Sequence, residues 1–262
     1  MTELARGAQT GVLAIQLPDL RGGTALVTGA SRGIGRAVVE SLAAHDVRCF
    51  GLANYGFTPD LPSRVVPITC NLDDASVVEE VVASVAAQTE SLDYLVNIAG
   101  IDPKHRLEEG TVGVWDSIVN LNLRAYYLLI RACLPLLRRG RGRSIVNVSS
   151  INYRLGIVGR SIYSTTKAGI LGLTTGLARE LGREGIRINT VSPGWVFTER
   201  QVAEYFTGPE GEKHLATLDE KQALQIHIDP VDVANHILFY LSNVSRASTG
   251  HNCVVDGGWL LE

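Results

Sequence analysis

The sequence predicts an α/β fold: a single, doubly wound domain with a seven-stranded parallel sheet flanked by helices. Short apolar runs alternate with longer helix-compatible segments, which is the pattern of parallel strands joined by right-handed crossovers. Some runs are continuously apolar, as in Tyr94-Leu95-Val96, which is typical of strands buried on both faces. The 262 residues, 45% of them hydrophobic, are enough for one large core.

Each predicted strand is one of the short apolar runs. In chain order the strands cover residues 25–27, 47–52, 65–68, 92–97, 144–148, 187–191 and 252–255. The helices predicted between them cover residues 34–44, 74–88, 112–138, 161–184 and 230–242. Residues 1–17 are predicted to form an N-terminal extension, and residues 18–262 the domain itself. Ligands of such sheets bind beyond the carboxyl ends of the strands, so the segments that follow the strands matter most.

Composition argues against several classes of function. A net charge of -3 gives no electrostatic reason to expect nucleic acid or an anionic membrane as a partner. No apolar run approaches the roughly 20 residues that span a bilayer. The four cysteines (Cys49, Cys70, Cys133 and Cys253) are widely spaced, which predicts free thiols in a reducing compartment, and the six histidines show no metal-ligand spacing. We therefore expect a cytoplasmic protein without a metal.

A glycine-rich turn follows the first predicted strand. The stretch TGASRGIGRA, residues 28–37, contains Gly29, Gly33 and Gly35 and leads into a helix-compatible run. Glycine lets the backbone approach a pyrophosphate closely, and the start of the helix offers free N–H groups to the anion. Ser31 is expected to cap that helix. Glycine turns are also common as plain structure, so the position after the first strand of an α/β chain is what favours a dinucleotide site.

The end of the second strand bears on the choice of coenzyme. An acidic residue there usually holds the ribose 2′-hydroxyl of NAD, whereas a nearby cation suits the 2′-phosphate of NADP. Residues 49–54, CFGLAN, contain no acid, and Arg32 in the glycine turn could reach a 2′-phosphate. This pattern favours NADP over NAD. The alternative is that Arg32 is a solvated loop residue.

A tyrosine and a lysine stand four residues apart in the helix predicted over 161–184. Tyr163 and Lys167 at i and i+4 share one face of that helix. A fixed ammonium favours the phenolate and lowers the tyrosine pKa from its usual value of about 10, so the hydroxyl can exchange a proton with an alcohol or carbonyl. Ser150 ends the fifth strand and could hold the oxygen of that substrate, or it could be an ordinary turn serine.

These motifs together resemble the short-chain dehydrogenase/reductase family. They are TGASRGIG at 28–35, NIAG at 97–100, Asn122, Ser150, the Tyr163-x-x-x-Lys167 pair and Pro193-Gly194, in that order over about residues 18–260. The resemblance implies a Rossmann-type fold, a bound nicotinamide coenzyme and no metal. It also implies that Tyr163 is the general acid/base and that Lys167 lowers its pKa and binds the nicotinamide ribose. Ser150 would hold the reacting oxygen, and Asn122 a water of the proton relay.

The same resemblance implies a set of coenzyme-binding residues. They are Gly29, Ser31, Arg32, Gly33, Ile34, Gly35, Asn71, Leu72, Asn97, Ala99, Gly100, Tyr163, Lys167, Pro193, Gly194, Val196 and Thr198. Three departures from the family pattern stand out. Ile98 replaces a frequent asparagine, Asn71-Leu72 replaces an aspartate and a small apolar residue, and Gly51-Leu52 leaves the ribose 2′ position without its usual binding residue. Residues 198 to about 224 correspond to a mobile substrate lid, and family members commonly pair helices 112–138 and 161–184 into dimers or tetramers. We therefore expect a homo-oligomer, with a homotetramer as one form.

Several stretches resemble the sugar dehydrogenases of this family, D-xylose 1-dehydrogenase-like members in particular. They are NIAGIDPKHRLEE, WDSIVNLNLR, SSINYRLG, PGWVFTERQ and YFTGPEGE. A polyhydroxylated ligand needs donors, acceptors and an aromatic face. The candidate substrate residues are Asp102, His105, Asn152, Tyr153, Trp195 and Arg200. Each could instead serve packing or a turn, and for His105 a structural role is favoured.

Two other functions stay open. A 3-oxoacyl-thioester ketoreductase would need a basic docking patch for an acidic carrier protein, and the arginine-rich run over 138–143 is a candidate for it, although a solvated helix end is favoured. A catalytically silent coenzyme sensor is the third possibility. Such proteins tend to lose the tyrosine or the lysine, and both are present here. The sequence therefore favours an enzyme acting on a small molecule that carries a secondary alcohol or a carbonyl.

Overall fold

A computed structural model of the protein describes residues 16–261. Most of the predicted N-terminal extension, residues 1–15, lies outside the described residues. Leu17, which the sequence assigned to that extension, is buried among the core side chains, and its backbone N–H donates to His45 Nε2 at 3.2 Å. The packed domain therefore already includes this residue.

The described residues form one seven-stranded sheet in which every neighbouring pair of strands is parallel. The strands are β1 (Thr24–Thr28), β2 (Arg48–Ala53), β3 (Val65–Thr69), β4 (Tyr94–Asn97), β5 (Ser144–Val148), β6 (Arg187–Pro193) and β7 (Asn252–Val255). Their spatial order is β3-β2-β1-β4-β5-β6-β7. The order reverses between β1 and β4, and a crevice for a ligand forms at such a switch point. The predicted fold class is confirmed.

Helices connect the strands and cover both faces of the sheet. They are α1 (Gly33–Ala44), α2 (Ala75–Ala86), α3 (Val112–Val119), α4 (Ala125–Leu137), α5 (Asn152–Leu155), α6 (Ser161–Gly182), α7 (Glu199–Tyr205), α8 (Gly208–Lys221) and α9 (Pro230–Leu241). Apolar side chains of α1 and α9 pack on one face of the sheet. Side chains of α2, α4 and α6 pack on the other. The strands are buried on both sides, which explains their continuous apolar sequence.

The predicted helix over 112–138 is interrupted. A π-helical segment, Asn120–Arg124, separates α3 from α4, and the Ala125 N–H donates to the Asn120 carbonyl oxygen rather than to the residue four positions back. Hydrophobic periodicity cannot distinguish one widened turn from a continuous helix, so this break is not visible in the sequence. Widened turns of this kind occur often at functional sites.

The predicted lid is helical. Residues 198–224 contain α7 and α8, joined by a short turn at Phe206 and Thr207. Aromatic side chains hold the two helices to the loop after β6: the ring of Trp195 lies 4.7 Å from that of Phe206 and 5.3 Å from that of His214. Helices α7 and α8 are thus anchored beside the carboxyl end of β6.

Candidate active site

The glycine turn between β1 and α1 has the backbone geometry its sequence predicts. Gly29 and Gly33 have φ angles of 69° and 54°, the left-handed region that favours glycine. A Cβ on Gly35 would lie 2.0 Å from the Gly29 carbonyl oxygen, so only glycine fits there. Helix α1 begins at Gly33 with Arg32 as its N-cap, and no side chain caps it. The expected cap by Ser31 is therefore wrong, and the first N–H groups of α1 stay available to an anion.

A cleft of about 900 Å³ lies at the switch point beside this turn. Most of the coenzyme residues implied by the resemblance line it: Gly29, Ser31, Arg32, Gly33, Ile34, Gly35, Asn71, Leu72, Ala99, Gly100 and Thr198. The Arg32 guanidinium stacks 4.6 Å from the ring centroid of Tyr55, which also lines the cleft and which sequence reasoning missed. The uncapped start of α1 and the glycine turn fit a dinucleotide pyrophosphate. Arg32 stacks on Tyr55, which follows β2, and the end of β2 is where the ribose would lie.

A second cavity, of about 500 Å³, adjoins the cleft. Both are lined in part by the same residues, among them Ile34 and Gly100. The predicted residues on the walls of the second cavity are Asp102, Ser150, Asn152, Tyr163, Lys167, Pro193, Gly194, Trp195, Val196, Thr198 and Arg200. The structure thus brings the predicted catalytic serine, tyrosine and lysine into one cavity, which we call the catalytic cavity.

Ser150, Tyr163 and Lys167 form a connected group. The Ser150 and Tyr163 side chains are hydrogen-bonded to each other. The Lys167 ammonium donates to the Val148 carbonyl oxygen at 2.9 Å and lies 5.5 Å from the centroid of the Tyr163 ring. Ser149 fixes this arrangement because its hydroxyl donates to the Lys167 carbonyl oxygen at 2.7 Å. The end of β5 and the start of α6 are thereby held together.

Burial dominates the protonation of this group. Burial raises the pKa of Tyr163 to about 12, and the opposing hydrogen bond from Ser150 is the smaller effect. Burial also lowers the pKa of Lys167 to about 8. The sequence led us to expect a tyrosine pKa below its usual value because of the lysine. That expectation is wrong for this structure, since the loss of solvation outweighs the neighbouring charges.

Asn122 lies in the π-helical segment and is fully buried. Its side-chain Nδ2 donates to the Ile101 carbonyl oxygen at 2.8 Å, and its Oδ1 accepts from the Ile101 N–H at 2.9 Å. Nδ2 also lies 3.3 Å from Thr166 Oγ1. The Asn122 amide is therefore occupied by the loop after β4 and by α6, and it joins both to the interrupted helix.

Asn97 does not line the coenzyme cleft, contrary to the implied role. It is fully buried, and its Nδ2 donates to Asn147 Oδ1 at 2.9 Å across the β4–β5 pair. Asn147 in turn donates to Thr174 Oγ1 on α6 at 3.0 Å. The side chain of Asn97 points between strands because it is the partner of Asn147 in register. Its place is in a polar network that ties the sheet to the helix carrying Tyr163.

The predicted substrate residues divide into two groups. Asp102, Asn152, Trp195 and Arg200 line the catalytic cavity, whereas His105 and Tyr153 do not. The Tyr153 hydroxyl accepts from Asn252 Nδ2 at 3.4 Å, and His105 is buried with its Nδ1 3.4 Å from the Pro103 carbonyl oxygen. Both positions fit the alternative that these residues serve packing or a turn.

An ion-pair network crosses the mouth of the catalytic cavity. Asp102 pairs with Arg160 at 3.2 Å and with Arg200 on α7 at 2.9 Å. Arg160 also donates to the Tyr205 hydroxyl at 3.1 Å, and the Lys104 ammonium lies 4.6 Å from the centroid of the Tyr205 ring. Sequence reasoning missed Arg160, Lys104 and Tyr205. The signal for Arg160 was a basic residue three positions before Tyr163.

No three histidine, cysteine, aspartate or glutamate side chains of residues 16–261 come together as metal ligands. None of the helices described here has the length and apolar content that crossing a membrane requires.

Comparison with protein families decides the family. A family model described as Enoyl-(Acyl carrier protein) reductase matches residues 29–260. The chain belongs to the short-chain dehydrogenase/reductase family. This short-chain dehydrogenase/reductase is accordingly an NAD(P)-dependent oxidoreductase.

Known relatives of this short-chain dehydrogenase/reductase act on different substrates. The chain is 34% identical over 247 residues to D-xylose 1-dehydrogenase of Caulobacter vibrioides, covering 92% of this chain and 97% of that protein. It is 31% identical over 245 residues to 3-oxoacyl-[acyl-carrier-protein] reductase FabG of Vibrio harveyi, covering 92% and 98%. Its fold is similar to that of the ligand-free aldohexose dehydrogenase AldT of Thermoplasma acidophilum, with a TM-score of 0.86, 28% identity and coverage of 94% and 97%.

Proposed function

We propose that this enzyme oxidises a hydroxyl group of a sugar or sugar-like compound, or reduces the corresponding carbonyl. The observation that carries the proposal is the Ser150–Tyr163–Lys167 group, which opens into the catalytic cavity next to the coenzyme cleft. In oxidation the carbinol C–H bond breaks with transfer of a hydride, and the hydroxyl proton leaves to the protein. Relatives named D-xylose 1-dehydrogenase and aldohexose dehydrogenase support a sugar as the substrate.

The coenzyme, when bound, supplies the nicotinamide that accepts or donates the hydride. We infer that the turn 29–35 and the start of α1 hold its pyrophosphate, because these N–H groups lack a capping side chain. The loop 193–198 and Lys167 would hold the nicotinamide end. Arg32, stacked on Tyr55, is positioned to bind a 2′-phosphate, which favours NADP.

Ser150 and Tyr163 would hold the reacting oxygen, and Tyr163 Oη would move the proton. With a pKa of about 12, Tyr163 is protonated near neutral pH and is ready to donate a proton to a carbonyl. For oxidation the same oxygen must first lose its proton, and the Lys167 ammonium, at 5.5 Å from the ring, favours that loss. Asn122 contributes by fixing Ile101 and Thr166 beside the pair. We also propose that Asn122 holds a water of the proton relay, which would run through Lys167 and the coenzyme ribose to solvent.

A 3-oxoacyl-thioester ketoreductase is the second candidate, because FabG of Vibrio harveyi covers nearly the whole chain. The structure weakens the argument from the arginine-rich run. Residues 138–143 precede β5, at the opposite end of that strand from Ser150. Arg138 pairs with Glu184, and Arg139 Nε donates to the Glu90 carbonyl oxygen at 2.5 Å. A carrier protein docked on these arginines would sit far from the mouth of the catalytic cavity.

We further propose a homo-oligomer, either a dimer or a tetramer, in the cytoplasm. Large apolar side chains are exposed on the helices that family members pair, with Trp115 on α3 46% exposed and Tyr127 on α4 49% exposed. Four free cysteines among the described residues support a reducing compartment. Light scattering of the purified protein tests the oligomeric state, and a monomer at micromolar concentration would contradict it.

Direct binding and turnover test the main proposal. NADPH and NADH are titrated into the purified protein by fluorescence, and NADP⁺-linked oxidation of D-xylose, D-galactose and D-glucose is compared with NADPH-linked reduction of an acetoacetyl thioester. We expect tighter binding of NADPH and oxidation of an aldose. Reduction of the thioester alone would favour the second candidate. Binding of coenzyme without any turnover would favour the silent sensor.

A further inference from the structure

The walls of the catalytic cavity carry more positive than negative charge. Lys104, Arg160, Lys167 and Arg200 line it, and Asp102 is the single carboxylate among the described residues that do so. Lys167 belongs to the proton-transfer group. The other three cations lie together on the lid side of the cavity, where Tyr205 contacts both Arg160 and Lys104.

Both carboxylate oxygens of Asp102 have a cationic neighbour. Oδ1 accepts from Arg200 Nη2 at 2.9 Å, and Oδ2 faces Arg160 Nη1 at 3.2 Å. A sugar hydroxyl that bound to this carboxylate would share it with two guanidinium groups. Each oxygen thus already has a cationic neighbour, and the carboxylate orients the two arginines.

Two cationic donors in the same place lack an acceptor. Arg160 Nη1 is buried, in a side chain only 7% exposed, and has no hydrogen-bond partner among the described residues because its approach to Asp102 lacks hydrogen-bond geometry. Lys104 is exposed, so water solvates its ammonium, which faces the ring of Tyr205 and has no carboxylate partner in residues 16–261. The Arg160 donor is buried, and a buried donor without an acceptor is costly, so a ligand that supplies an acceptor removes that cost.

We propose that the substrate carries a carboxylate, remote from the reacting carbon, that Arg160 and Lys104 receive. This inference rests on the proposed function and narrows its substrate class to an acidic sugar or a similar hydroxy acid. Arg160 and Lys104 are then specificity-determining residues of this chain. Arg160 Nη1 and the Lys104 ammonium are positively charged donors without a hydrogen-bond acceptor in residues 16–261, so the complementary group on the substrate is an anionic acceptor.

Four cationic side chains on the walls of the cavity, Lys104, Arg160, Lys167 and Arg200, outnumber the one carboxylate, Asp102, among the described residues that line it. This excess of positive charge favours an anionic group on the substrate. A carboxylate and a phosphate monoester both meet that requirement, and the phosphate differs in carrying about 1.5 to 2 negative charges at neutral pH.

The test compares ligands that share one pyranose ring and differ at a single carbon. D-glucuronate carries the acid, D-glucuronamide is its neutral isostere, D-glucose is the neutral alcohol and D-glucose 6-phosphate carries the phosphate. Oxidation of each with NADP⁺ gives kcat/KM, and calorimetry gives its affinity for the complex of protein and NADP⁺. We expect kcat/KM and affinity of the acid to exceed those of the amide by about tenfold, as for a charge-assisted hydrogen bond.

Variants identify the residues that cause the preference for the acid over the amide. Lys104→Met and Arg160→Gln should each reduce the preference for acid over amide, measured as the ratio of the two kcat/KM values, by about fivefold or more. Arg160→Lys should retain part of the preference. Lys213→Met is the matched control, because Lys213 pairs with Glu210 on α8 and does not line the cavity. Its preference should equal that of the unmodified protein.

The possible outcomes distinguish failure of the carboxylate inference from failure of the proposed sugar oxidation. If the neutral compounds are turned over and bound as well as the acid or better, the inference of a substrate carboxylate is wrong, and the proposed oxidoreductase activity is unaffected. Tighter binding of the acid than of the amide, without oxidation of any of the four, would leave the carboxylate standing and contradict sugar oxidation. A preference for the phosphate would replace the carboxylate. Absence of binding by all four, or a preference unchanged in both Lys104→Met and Arg160→Gln, would also overturn the inference.

Discussion

Arg200 on α7 and Asp102 in the loop after β4 form an ion pair of 2.9 Å that joins the lid to the opposite wall of the cleft. The two residues are 98 positions apart in the chain. Arg160, at the start of the helix that carries Tyr163, meets the same carboxylate. A single aspartate in the loop after β4 therefore contacts both the start of α6 and helix α7.

Arg200→Gln should loosen the lid with a modest kinetic effect. The Arg200 side chain is 44% exposed, so solvent screens the pair and its loss should raise KM by about two- to fivefold with little change in kcat. Steady-state kinetics at low and high salt would check this, because salt should raise KM of the unmodified enzyme more than that of the variant. Arg106→Gln, which breaks an exposed pair with Glu108, is the control and should change neither. A loss confined to kcat would contradict a role in the lid.

Tyr163→Phe should lower kcat by about 10²- to 10⁴-fold, the usual contribution of general acid–base catalysis. The affinity for NADPH should stay within about twofold, because the ring that packs beside Lys167 is retained. Turnover and fluorescence titration of the same preparation measure both quantities.

Tyr153→Phe is the matched control for that variant. It removes the same hydroxyl from a tyrosine ten positions earlier, whose Oη contacts Asn252 and which does not line the cavity. Its kcat should be close to that of the unmodified enzyme. Equal losses in both variants would mean that Tyr163 does not transfer the proton.

The parts of the fold that depend on local pattern could be predicted from the sequence. All seven strands and the glycine turn were predicted, because continuous apolar runs and glycine spacing are local features. The pair of Tyr163 and Lys167 was likewise visible as an i, i+4 spacing. Where the prediction depended on one turn of a helix, at Asn120–Arg124, it was wrong, because the period of the apolar residues hardly changes there.

The parts that depend on distant residues could not be predicted. Asp102, Arg160 and Tyr205 come from three separate segments, and no local pattern shows that they meet. The predicted direction of the Tyr163 pKa shift was wrong because it too depends on distant residues. The sequence showed the neighbouring lysine, but it did not show how completely the fold removes water from both groups, and desolvation has the larger effect.

The buried lysine makes stability depend on pH in a defined direction. The pKa of Lys167 falls from 10.5 to about 8 in the folded protein, so between these values the unfolded chain binds a proton that the folded protein has released. Stability due to this group therefore rises with pH over that window, by roughly 1 kcal/mol per pH unit. The opposite shift of Tyr163 acts only above its usual value of 10.

Urea denaturation at pH 7, 8, 9 and 10 would measure this effect against Lys167→Met. The difference in unfolding free energy between the two proteins should move in favour of the unmodified protein as the pH rises from 8 to 10. Other titrating groups are common to both and cancel in the difference. Parallel curves at all four pH values would show that Lys167 keeps an ordinary pKa in the folded protein.

Arg32→Gln should change the choice of coenzyme. If Arg32 binds the 2′-phosphate, the variant should bind NADPH about 10- to 100-fold more weakly, while NADH, which lacks that phosphate, should change less than about threefold. Fluorescence titration with both coenzymes measures the ratio. Arg64→Gln removes an exposed arginine that pairs with Asp46 outside the cleft, and it should leave the ratio unchanged. An equal loss for both coenzymes would assign Arg32 to the pyrophosphate or to the turn itself.

Gly35→Ala tests whether the glycine turn is built for a close backbone approach. The added Cβ would lie 2.0 Å from the Gly29 carbonyl oxygen, so the first turn of α1 must move away from β1. We expect loss of measurable NADPH binding and a destabilisation of about 1 to 3 kcal/mol or more, seen as a lower Tm. Gly56→Ala adds the same methyl group where no atom lies within 4 Å, so its Tm and its affinity for NADPH should stay close to those of the unmodified protein. Retained NADPH affinity in Gly35→Ala would mean that the start of α1 can shift without disturbing the coenzyme, and the pyrophosphate would then have to be bound elsewhere in the cleft.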